Sequence, residues 1–123
     1  DFSIVPAAVF TNPEAATVGL TEDECKEKGI NVKCLKSFFR ANGKAISMDA
    51  PEGYCKLIVA AEDVQMPYQP RQILGCHMFG AHSSDIIQEV CALMNLKASL
   101  KDFKSLIHAH PTLTEVLQSA VQD

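Results

Sequence analysis

The hydrophobic patterning predicts an α+β domain: an antiparallel sheet of about four or five strands with helices packed on one face. Three observations carry that expectation. In the first two thirds of the chain, apolar residues alternate or gather in short blocks of strand length. Those blocks are separated by asparagine, glycine and proline, the residues of turns. From Ser83 onward the apolar spacing changes to three and four, the repeat of an α-helix. Strands come first and helices after, which is the order of a segregated α+β domain rather than of repeated βαβ units.

Taken in order, residues 4–11 contain Ile4, Val5, Val9 and Phe10 and close on Asn12-Pro13, so they read as a first strand. Thr21 and Glu24 have the T-x-x-E spacing of a capping box, and Gly29 supplies a stop, which predicts a short helix over residues 22–28. Residues 31–39 alternate in part, with Val32, Cys34 and Phe38 interrupted by lysines, as in a strand with one wet face. Residues 40–51 hold Asn42-Gly43 and Ala50-Pro51 and read as a connection. Residues 54–61 then form a central strand with Cys55, Leu57, Val59 and Ala61 on one face. The polar, proline-containing residues 62–72 lead into the apolar run 73–79, so these two strands make a hairpin with a long loop. Beyond Ser83, Ile86, Ile87, Val90, Cys91 and Met94 share one side of a helix, opposite Asp85, Gln88 and Glu89. Ser99 caps a further helix carrying Leu100, Phe103, Leu106 and Ile107, and a last helix opens at Pro111-Thr112 and runs through Val116, Leu117 and Val121.

Composition narrows the function classes. The chain has 123 residues, enough for one domain over 1–123; 47% are hydrophobic and 21% charged, the balance of an ordinary globule. A net charge of -4 without a basic stripe argues against nucleic acid as a partner. No apolar run approaches the roughly 20 residues that cross a bilayer, so no membrane partner is expected. Nothing suggests export, and a cytoplasmic location is expected. The first residue is Asp1 rather than Met, which reads as a fragment of a longer protein. The cysteines Cys25, Cys34, Cys55, Cys76 and Cys91 are widely spaced without a C-x-x-C pair, so reduced thiols are expected rather than a zinc knuckle or thioredoxin-like motif. Cys76, His77 and His82 are soft metal ligands by type. Adjacent strand residues point to opposite faces, however, and no metal site is expected.

The segment from His108 to Glu115, H-A-H-P-T-L-T-E, concentrates the chemistry. An imidazole exchanges protons near neutral pH, and a carboxylate on one ring nitrogen fixes the tautomer and favours the charged ring. His110 and Glu115 are candidates for such a pair. Thr112 and Glu115 are equally the ends of a second capping box, in which Glu115 only closes a helix N-terminus, and residue chemistry alone favours that simpler role. His108 reads as structural.

Taken together, V-F-T-N-P-E at Val9 to Glu14, V-G-L-T-E at Val18 to Glu22, the strand between Gly75 and Gly80, and H-A-H-P-T-L-T-E resemble the C-terminal dimerisation domain of the pyridine nucleotide-disulfide oxidoreductases. The resemblance covers nearly the whole chain. The doubled histidine is more like dihydrolipoamide dehydrogenase than glutathione or trypanothione reductase. The residue 62–72 loop is longer and richer in proline than the family's usual hairpin.

The resemblance implies the FAD/NAD-linked reductase dimerisation fold and a homodimer. It assigns the acid–base dyad to His110 and Glu115, with His110 and Pro111 lying against the flavin and the His110-Pro111 bond cis. His110 would act in trans on the partner subunit's disulfide centre, across an interface above roughly 1,000 Å². The full-length enzyme would use FAD and NAD to oxidise dihydrolipoyl groups, with a lipoyl-bearing protein or a small disulfide substrate as its partner. The redox cysteines and nucleotide-binding glycine motifs belong to parts of the family that precede this region, so the fragment is expected to bind no cofactor and to be inactive. The alternative is a self-association domain of another disulfide reductase, similar to glutathione reductase.

Overall fold

The computed structural model describes residues 6–9, 14–38, 53–99 and 101. Among them, five strands form one antiparallel sheet: β1 (Ala7–Val9), β2 (Ala15–Gly19), β3 (Val32–Phe38), β4 (Gly53–Ala60) and β5 (Ile73–Gly80). Two helices accompany it, α1 (Glu22–Glu27) and α2 (Ser83–Asn95). The sheet order is β1-β2-β5-β4-β3, so β5 occupies the centre although it is last in the chain.

The expected fold class is observed, and α2 covers one face. Ala16, Val18, Leu35, Cys55, Leu57, Val59, Cys76 and Met78 point to that face and meet Ile86, Ile87, Val90, Cys91 and Met94 of α2 in a single core. The helix stripe is the one that the three-and-four spacing predicts. Leu57, Val18, Ile87 and Val90 are at most 1% exposed. Burial of such side chains contributes about 1.5–3 kcal/mol each.

Among the described residues, a second core lies at one end of the opposite face. There Cys25 of α1 and Ile30 pack with Ile58, Ala60 and Leu74 in a smaller core. The expected capping box is present in α1: the Thr21 hydroxyl accepts from the Glu24 amide at 3.1 Å, and the Glu24 carboxylate accepts from the Thr21 amide at 3.0 Å. The helix closes as expected at Gly29, whose φ of +69° lets Ile30 donate back to the Cys25 carbonyl at 2.9 Å. A shift of register opposite Ile58 and Val59 makes Leu74 the extra residue of β5, which sets Ile73 beside Val59 in the main core and leaves Leu74 in the smaller one.

Strand β2 is an addition to the sequence reading, which assigns no element to residues 15–19. Two alanines and a glycine have little strand preference of their own. Pairing with both β1 and β5 holds the segment extended and buries Ala16 and Val18 against α2. The hairpin of β4 and β5 with its long loop is found as expected, and α2 begins at Ser83 as the change of period indicates. Ala61, expected on the inner face of β4, lies just beyond the strand. Of the helix expected after Ser99 only Lys101 is described, and it is helical; the helix expected at Pro111 and the connection over residues 40–51 lie outside the described residues.

Candidate functional site

His110 and Glu115, the residues expected to form the acid–base dyad, lie outside the described residues. So do His108, Pro111 and the His110-Pro111 peptide bond. The described part of the domain contains three polar arrangements around the sheet.

The first joins the start of β2 to the start of α2. The Glu14 carboxylate accepts from the Ser84 hydroxyl at 2.6 Å and from the Ser84 amide at 3.1 Å. The Gly80 amide donates to the Glu14 carbonyl at 2.8 Å, so the same residue also holds the end of β5. His82, the residue before the helix, is left-handed with φ 61° and provides no side-chain cap of its own. Glu14 fills that function from a distant part of the chain. The bonds from the Ser84 hydroxyl and amide hold its carboxyl below the usual carboxylate range. A negative charge at a helix N-terminus is favoured by the free amides and by the helix dipole. The sequence reading uses T-N-P-E only as a mark of resemblance and gives Glu14 no role. A cap supplied from a remote segment leaves no local spacing to read.

The second arrangement lies on the sheet face opposite α2. The strand registers bring Thr17, His77, Lys56 and Lys36 into one row and Val9, Ala15, Phe79, Tyr54 and Phe38 into the next. His77 Nε2 is 2.9 Å from the Leu20 carbonyl, which can only accept, so the ring proton sits on Nε2. Nδ1 then accepts from the Thr17 hydroxyl. Both ring nitrogens are engaged within the fold, so His77 cross-links β2, its exit at Leu20, and β5. Lys56 donates to Glu22 at 2.6 Å, and the Lys36 ammonium lies 4.8 Å from the centre of the Tyr54 ring. Thr21, Glu22, Asp23, Tyr54, Lys56 and His77 line a shallow hollow of about 210 Å³.

The third is a pair of buried thiols. Cys55 and Cys76 are fully buried beneath α2 with their sulfur atoms 3.9 Å apart. The bond to Cys55 and then burial push the Cys76 thiol well above its usual range. Burial, with a bond to Glu22, raises Cys34 to about 11. A thiol in this state is a poor nucleophile, because the reactive form is the thiolate. The five cysteines are not joined in disulfides, as expected of reduced thiols.

As the strand alternation requires, Cys76 points into the core while His77 points to the other face. Among the described residues no group of three His, Cys, Asp or Glu side chains is placed to hold a metal ion. Besides the hollow on the His77 face, Lys28, Ile30, Gln65, Met66 and Tyr68 line one of about 360 Å³. Among the described residues no helix is long and apolar enough to cross a membrane.

A family model described as the pyridine nucleotide-disulphide oxidoreductase dimerisation domain matches residues 5–121. The chain belongs to this oxidoreductase family. Relatives agree: dihydrolipoyl dehydrogenase 3 of Haloarcula marismortui is 36% identical over 123 residues, covering 100% of this chain and 24% of the relative. Dihydrolipoyl dehydrogenase 2, chloroplastic, of Arabidopsis thaliana is 41% identical over 119 residues, covering 92% of this chain and 19% of the relative. The chain thus spans a quarter or less of the length of these relatives. Among solved structures, the HOCl-induced flavoprotein disulfide reductase RclA from Escherichia coli superposes with a TM-score of 0.85 at 24% identity, covering 96% of this chain and 26% of that one. LpdA from Mycobacterium tuberculosis gives 0.87 at 17% identity, covering 99% of this chain and 25% of that one. At such identities the superpositions establish the fold, which the oxidoreductase dimerisation domain shares with both.

Proposed function

We propose that this chain is the dimerisation domain of a flavin-dependent dihydrolipoyl dehydrogenase and that it supplies His110 and Glu115 to the disulfide centre of a partner subunit. One observation carries the reading: identity of 36–41% to dihydrolipoyl dehydrogenases extends over nearly the whole chain, and the family match includes the H-A-H-P-T-L-T-E segment. FAD and NAD belong to this proposal as cofactors of the full-length enzyme, which would pass electrons from a dihydrolipoyl group to NAD. His110 and Pro111 are the residues of this chain proposed to lie against the flavin.

The chemistry proposed for the chain's own residues is proton transfer. His110 accepts a proton from one thiol of the substrate dithiol as the resulting thiolate attacks the enzyme disulfide. A new sulfur–sulfur bond forms, the old one breaks, and the departing thiolate is stabilised by the imidazolium. Glu115 holds the ring and favours its charged form. Because this chain contains no C-x4-C pair, the disulfide must come from another part of the enzyme, and a symmetric dimer brings such a part against this domain. Five cysteines that are not joined in disulfides fit a reducing, cytoplasmic compartment, which forms part of the same reading.

Subunit mixing tests it. Full-length subunits inactivated at His110 are combined with subunits inactivated at the disulfide, and mixed dimers should recover part of the dihydrolipoyl dehydrogenase activity. Mixed dimers that form without any recovery would show that His110 does not act across the interface.

A further inference from the structure

We draw no further inference here: the strongest candidate, the apolar row of Val9, Ala15, Phe79 and Tyr54 across the sheet face opposite α2, carries nothing because nothing in the structure shows what covers it.

Discussion

Glu14 is the residue through which a surface connection becomes part of the fold, since one carboxylate caps α2 while the backbone of the same residue holds β5. Glu14→Ala should cost about 1 kcal/mol, the usual value of an N-cap, measured as a lower midpoint in urea unfolding. Glu14→Gln keeps an acceptor oxygen and should recover part of the loss. The pH dependence follows from the direction of the shift. The folded carboxyl titrates below its ordinary value of 4.5, so its contribution is complete above that pH and disappears as pH falls through the lower folded value. The difference between wild type and Glu14→Ala should therefore narrow in acid; a difference that persists unchanged would mean that the charge on Glu14 is irrelevant. The thiols offer a second test at this scale. Cys25, Cys55 and Cys76 are 0% exposed, and a maleimide at a pH of about 8, near the ordinary thiol pKa, should leave them unlabelled in the native chain but label them in guanidinium, as read by mass spectrometry. Rapid native labelling of Cys55 or Cys76 would contradict the packing beneath α2.

At the scale of elements, two glycines separate close approach from backbone conformation. A Cβ on Gly75 would lie 2.2 Å from the Leu20 carbonyl oxygen, so the chain leaving β2 can approach β5 only if this position has no side chain. Gly75→Ala must push backbone away from backbone and should lower stability by about 3 kcal/mol or more. Gly29 has φ +69°, and no atom lies within 4 Å of the point a Cβ would occupy. Gly29→Ala therefore carries only the left-handed penalty, about 1 kcal/mol. Thermal unfolding of the two variants should rank Gly75→Ala well below Gly29→Ala; the reverse order would overturn the account of the β2–β5 junction. Gly29 is legible as a helix stop from its place after the capping box. The role of Gly75 is not, because its constraint comes from Leu20, a residue on another strand's exit.

For the molecule as a whole, α2 packs on one face of the sheet and, among the described residues, α1 on part of the other. The chain spans a quarter or less of the length of the dihydrolipoyl dehydrogenases it matches, and its 123 residues hold no G-x-G-x-x-G motif for a dinucleotide. The chain purified alone should accordingly be colourless and lack dihydrolipoyl dehydrogenase activity, which absorbance near the flavin bands and a standard assay would check. A yellow fragment with stoichiometric flavin would show that the cofactor site lies within these 123 residues.

The fold class, the α1 capping box, the long β4–β5 hairpin and the buried stripe of α2 are legible in the chain, because each depends on residues close together in it. Periodicity of two or three to four is a local property, and so is a cap separated from its partner by three residues. The sequence also pointed to His110 and Glu115, through a motif whose members are neighbours. The folded chain was needed to see that residues 15–19 form a strand, that Glu14 caps a helix 70 positions away, and that His77 is held between Thr17 and Leu20. These depend on pairing between distant segments. A weak strand former becomes a strand when its neighbours satisfy its amides, and a histidine becomes a cross-link when the sheet brings both of its partners within hydrogen-bond reach.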